Sequence, residues 1–158
     1  MSYLTGTLHD PLVTPRPLAE VPVLRGPANA VRFVAPGSVT QGEFGLFEHQ
    51  MQAHAGGPGP HYHQTFSESF YVVSGELTLY ADGAWRQAGA GDFAYVSRGG
   101  VHGFRNDSDQ PTSFLILFAP GIARERYFTE LHEIRETGRT MTDQEWADLY
   151  ARHDQVNL

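Results

Sequence analysis

HYHQTFSESFYVVSG, residues 61–75, is the stretch on which the fold turns. In an extended strand successive side chains alternate, so His61 and His63 fall on one face, about 7 Å apart along the chain. Two imidazoles at that spacing can converge on one ion. Glu68 begins the β-prone run that follows and can add a carboxylate. A second segment, GDFAYVSRGGVHGFRN at residues 91–106, contributes one isolated histidine, His102, after a glycine-rich bend.

Working outward, residues 30–119 read as short β-prone runs cut by turns: VRFVA, GEFGLFEHQMQAH, SFYVVSG, ELTLY, AWRQA, DFAYVS, HGFRN and SFLILFA. Ser74-Gly75, Asp82-Gly83 and Asp107-Ser108-Asp109 supply residues that adopt turn geometry readily. Many short, evenly spaced strands describe an antiparallel sandwich or barrel. The 17 glycines and 10 prolines of this 158-residue chain argue the same way, and the length suits one domain with a real core.

Three segments are expected. Residues 1–29 hold five of the ten prolines and form an extended arm with at most edge-strand pairing, able to reach a partner subunit. Residues 30–120 form the barrel. Residues 121–158 form two short helices packed on its outside, there to cover apolar sheet surface. The first, in GIARERYFTELHEIRE, puts Ile122, Tyr127, Phe128, Leu131 and Ile134 near one stripe and stops at Gly138. The second starts at the capping box Thr142-Asp-Gln-Glu145, with Met141 and Trp146 placed as a hydrophobic staple.

Composition narrows the function. With no cysteine, disulfides, thiolate metal sites and a cysteine nucleophile are excluded. The formal charge is -7 and no basic patch with interleaved aromatics occurs, so nucleic acid is not an expected partner. The opening MSYLTGTLHDPLVTPRP lacks the basic-then-apolar order of a signal peptide. The longest apolar run, Phe114 to Pro120, is too short to span a bilayer. A cytoplasmic protein without membrane partners is therefore the expectation.

The two histidine segments resemble the paired motifs of the cupin superfamily. His61, His63, Glu68 and Gly75 match the first motif; Ala55 stands where its leading glycine belongs, with Gly56 and Gly57 beside it. Gly91, Gly99, His102 and Asn106 match the second, with Ser97 in place of a proline. The resemblance covers roughly residues 31–119. It implies an all-β fold, a double-stranded β-helix or jelly-roll barrel, with His61, His63, Glu68 and His102 as metal ligands inside its mouth. Three imidazoles and one carboxylate suit one divalent transition metal: Fe, Mn, Ni, Co, Cu or Zn. The chain is most similar to the small, single-domain, quercetin-dioxygenase-like cupins.

That similarity implies a dioxygenase acting on a flavonol-like or other enolic aromatic small molecule, with O2 as co-substrate and Glu68 as catalytic proton acceptor. A non-oxidative metal-dependent cyclase or isomerase of polyketide-type substrates is the second reading, and a non-catalytic small-molecule-binding barrel the third. Phe47, Met51, Phe66, Phe70, Tyr95, Phe104, Phe114 and Ile116 are the expected substrate pocket. Tyr62, Tyr95 and Arg98 lie near the motifs and could orient substrate, a structural role being the first expectation for each. A homodimer is expected, paired through an outer sheet face and the proline-rich arm.

Overall fold

The computed structural model describes residues 15–158; the first half of the expected arm, residues 1–14, lies outside them. Eleven strands are found among the described residues: β1 Val23–Arg25, β2 Asn29–Ala35, β3 Gly45–Met51, β4 His61–Tyr62, β5 Ser67–Ser74, β6 Glu76–Ala81, β7 Ala84–Gly89, β8 Phe93–Val96, β9 Gly103–Arg105, β10 Thr112–Ala119 and β11 Val156–Asn157. Helices α1, Arg124–Glu136, and α2, Asp143–Arg152, precede β11.

The strands form two facing layers of a jelly roll. One is a six-stranded sheet in the order β1-β2-β3-β10-β5-β8. The other joins β7-β6-β9 to the pair β4-β11 through an antiparallel bridge between His61 and His102. Turn chemistry sets the connections. Asp82 and Gly83 both take positive φ, 50° and 78°, the conformation that closes a two-residue hairpin between β6 and β7. Gly75, at φ 75°, turns β5 into β6 where an added Cβ would run into the Pro111 carbonyl.

Alternation fills the space between the layers. On β10, Thr112, Phe114, Ile116 and Phe118 are buried while their neighbours are half-buried; on β3, Gly45, Phe47, His49 and Met51 do the same. Phe47 meets Phe33 at 5.4 Å and Phe118 at 5.6 Å between ring centroids, both edge-on.

The helices depart from expectation. Phe128 of α1 lies 5.0 Å from Phe47 and 5.2 Å from His49, both on the inner face of the six-stranded sheet. The apolar stripe of α1 therefore enters the open side of the barrel, where the inward aromatics of β2, β3 and β10 are richest, rather than covering an outer face. The capping box of α2 forms as read, with Thr142 and Glu145 exchanging hydrogen bonds. Gly138 takes φ 61° just after α1. Within the expected arm, β1 pairs with β2 at the sheet edge. Among the described residues no helix is long and apolar enough to cross a membrane.

Candidate metal centre

Four buried side chains meet between the layers: His61 from β4, His63 just beyond it, Glu68 from β5 and His102 just before β9. One donor atom from each lies within 4.8 Å of all the others. Backbone pairing sets this up. His61 N–H donates to the His102 carbonyl at 2.8 Å and His102 N–H to the His61 carbonyl at 2.9 Å, so the two segments are fastened at the ligands themselves.

Each imidazole is aimed by its other nitrogen. The Nδ1 atoms of His61, His63 and His102 donate to the carbonyls of Gly59 at 2.8 Å, Asp154 at 2.5 Å and Gly100 at 3.0 Å. With Nδ1 carrying the proton, Nε2 is left as the electron-pair donor toward the centre, the arrangement that fixes tautomer and ring orientation in metal sites. Glu68 Oε2 lies 2.9 Å from His102 Nε2. His63 Nε2 is 3.2 Å from the same oxygen, off the line of a hydrogen bond, and is left without a partner. An orphaned, buried imidazole nitrogen beside a carboxylate is what a cation would satisfy. The donor set thus fits a borderline divalent ion.

The electrostatics agree at His61 and Glu68, while at His102 burial is outweighed by the adjacent Glu68 carboxylate, which raises the imidazole's pKa. Burial pushes the His61 pKa down to about 4, with His102 nearby adding to the shift, so the ring is neutral and able to ligate. Burial alone would raise the Glu68 carboxyl; the contacts to His102 and then His63 outweigh it and hold Glu68 well below the usual carboxylate range.

A cavity of about 450 Å³ opens onto His61 and Glu68. Of the pocket residues expected from the sequence, Met51, Phe104 and Ile116 line it. Phe47, Phe66, Phe70 and Phe114 are wholly buried and pack around it as core instead. Tyr95 is a correction: it is 63% exposed, on the outer face of the sheet. Glu68 pairs with Val96 across β5 and β8, so the inward parity on β8 belongs to Ala94 and Val96 and turns Tyr95 outward. Arg98 is exposed and Tyr62 half-buried.

The opposite wall comes from α1, α2 and the tail after α2, including Arg124, Tyr127, Phe128, Trp146 and Gln155. Sequence reading missed Arg124, His49 and Asp154. His49 was within reach, since alternation on β3 places it between Phe47 and Met51 on the inner face. Asp154 had no local signal. Its carbonyl accepts from His63, and its carboxylate accepts from Gln64 N–H at 3.0 Å, Thr65 N–H at 2.7 Å and Thr65 Oγ1–H at 2.6 Å. The missing motif glycine is also accounted for. Ala55 is buried without strain, whereas at Gly57 a Cβ would strike the Phe104 carbonyl, so the close approach falls two residues later.

Comparison with known proteins finds a family likeness over the part of the chain that carries these features. A family model described as the Cupin domain matches residues 47–118. Over 62 residues, 39% of this chain, the sequence is 37% identical to the quercetin 2,3-dioxygenase of Bacillus subtilis, covering 18% of that enzyme. It is 36% identical over 61 residues, again 39% of this chain, to an uncharacterized protein of Aquifex aeolicus, covering 50% of it. The match thus spans half or less of either relative. Among solved structures, the polyketide cyclase RemF from Streptomyces resistomycificus superposes with a TM-score of 0.56 at 20% identity, covering 75% of this chain and 94% of that one. That likeness is one of fold.

Proposed function

We propose, from the premise that this chain belongs to the cupin superfamily, that it is a metal-dependent enzyme acting on an enolic or phenolic aromatic small molecule, with dioxygenation as its chemistry. The observation that carries this reading is the buried three-histidine, one-carboxylate cluster at one end of an aromatic cavity. The 62-residue likeness to a quercetin 2,3-dioxygenase favours oxygen chemistry over the alternatives.

His61, His63, Glu68 and His102 would hold one divalent ion. When bound, such an ion acts as a Lewis acid that stabilises an enolate or phenolate oxygen and, if redox-active, supports reaction with dioxygen. The rest falls to the chain. Glu68 is ionised at working pH; its Oε2 faces the two histidines, and its Oε1, which makes no hydrogen bond among the described residues, is open to take the proton from a substrate hydroxyl. Phe104, Ile116 and Met51 flank a planar ring on the sheet side. Helices α1 and α2 lie across the opening and exclude bulk water from the reacting atoms.

Elemental analysis of protein purified without chelator or histidine tag is the first test. About one transition metal per chain is expected, lost or greatly reduced in His63→Ala; full retention in that variant would sink the assignment. An oxygen electrode then separates the chemistries over a panel of flavonols and simpler enols. Substrate-dependent oxygen uptake supports the dioxygenase. Anaerobic turnover by the zinc form replaces it with a cyclase or isomerase, and tight binding without product replaces it with a binding module.

A further inference from the structure

The cavity carries a charge opposite to that of the chain. The protein has a formal charge of -7, yet among the described residues Glu68 is the only acidic side chain lining the cavity, whereas Arg124 and Arg135 are cationic. Arg124 is 4% exposed and forms no ion pair among the described residues. Its guanidinium stacks 4.0 Å above the Tyr127 ring and lies 5.2 Å from the Phe118 ring centroid. Nη1 donates to the His153 carbonyl at 3.0 Å. The other edge, Nε and Nη2, makes no hydrogen bond among the described residues, and Nε is fully buried. That edge carries two parallel N–H groups and matches the two oxygens of a carboxylate.

Helix physics does not explain Arg124. It is the first residue of α1, beside the N-cap Ala123, which supplies no side-chain cap. A cation at a helix N-terminus opposes the dipole, and desolvating an arginine without a counter-ion adds to the cost. Two more residues that line the same cavity carry buried polar atoms without partners, His49 at Nε2 and Asn29 at Oδ1. Three residues with unpartnered polar atoms around one aromatic-walled space suit a polar ligand.

We infer that Arg124, with His49 beside it, forms a carboxylate-binding subsite, so that the natural ligand is an aromatic or planar acid bearing a carboxylate in addition to the hydroxyl oxygen directed at the histidine cluster. A divalent ion and Glu68 together leave one positive charge and Arg124 adds another, so an acid with an ionised hydroxyl neutralises the site where an uncharged flavonol does not. A single planar fork within a mostly apolar wall suits a carboxylate better than a phosphate, which needs donors on more sides. This inference rests on the site reading above only for the hydroxyl; the carboxylate contact depends on Arg124 alone.

The test is calorimetric titration of the zinc-loaded protein at neutral pH with 4-hydroxybenzoate and, in parallel, its uncharged near-isostere 4-hydroxybenzamide. The wild-type protein is expected to prefer the acid by about tenfold or more. Arg124→Met should abolish that preference while keeping its metal, and Arg124→Lys should restore part of it. Equal binding of acid and amide by wild type, no binding of either at millimolar concentration, or a preference that survives Arg124→Met each overturns the subsite. The wild-type comparison needs no variant to fold. A protein that holds no metal yet prefers the acid through Arg124 would refute the metal reading and leave the subsite standing.

Discussion

His49 sits between two aromatic rings, stacked on Phe114 at 5.4 Å and edge-on to Phe128 at 5.2 Å. Burial pushes its pKa down to about 4, outweighing the opposing pull of the Glu68 carboxylate, and Arg124 adds a smaller push in the same downward direction. Unfolded, the same ring takes a proton near its ordinary 6.5. The unfolded state therefore binds more protons as pH falls from about 6.5 to about 4, and folding loses stability across that window, on the order of 3 kcal/mol from His49 alone. His61 behaves alike, with its pKa also about 4. Urea melts of the metal-free protein should show a midpoint that drops through this range and goes on dropping below it, as Glu68, held well below its ordinary value in the folded state, is protonated on unfolding; His49→Phe should flatten the slope between about 6.5 and 4 by roughly half, and an unchanged slope there would mean the ring is not held neutral. At this scale the sequence was informative wherever spacing was local. His61, His63 and Glu68 lie within eight residues, and strand alternation alone puts the two histidines together. Parity on β8 was not legible in the same way, because Phe93, Ala94, Tyr95 and Val96 are apolar on both faces, and only pairing with β5 turns Tyr95 outward.

Among the elements, the tail after α2 matters most to the cluster. β11 pairs with β4, laying Asn157 against His61 and Val156 against Tyr62, while Asp154 grips the backbone at Gln64 and Thr65. Its φ of 51° aims the carbonyl and carboxylate at the same loop. Asp154→Ala removes the carboxylate and strains the left-handed backbone, so His63 loses its fixed orientation. A fall in zinc affinity of about 10- to 100-fold is expected, read by competition with a chromogenic chelator; Asp154→Asn, which tolerates that backbone, should lose less. Unaltered affinity in the alanine variant would show that His63 is held by its own strand. None of this was readable beforehand. Two residues of strand carry no periodicity, and the His63 to Asp154 contact spans 91 positions. The capping box of α2 was readable, because its two partners stand three residues apart.

For the whole molecule, the strand-and-turn pattern pointed to an antiparallel sandwich or barrel, the resemblance of the two histidine segments to the cupin motifs narrowed it to a jelly roll, and the family match at residues 47–118 agrees. Where the helices go was settled instead by tertiary contacts, since an apolar stripe fits an inner face as well as an outer one. With α1 turned inward, the outer surface of β5 and β8 stays uncovered and exposes Tyr71, Val73, Phe93 and Tyr95. A homodimer formed there predicts a species of twice the chain mass in sedimentation velocity at micromolar concentration, and a monomer after Phe93→Glu with Tyr95→Glu; a wild-type monomer would reject it. The C-terminal segment has one further consequence. The same stretch of chain roofs the cavity and steadies His63, so whatever holds it in place bears on the cavity and on the histidine together. By thermodynamic reciprocity, a ligand that keeps the roof shut retains the ion, and an ion that steadies the tail retains the ligand. Extraction of zinc by EDTA from the zinc-loaded protein should therefore slow several-fold in the presence of 4-hydroxybenzoate, and an unchanged rate would show that the tail governs the two events separately.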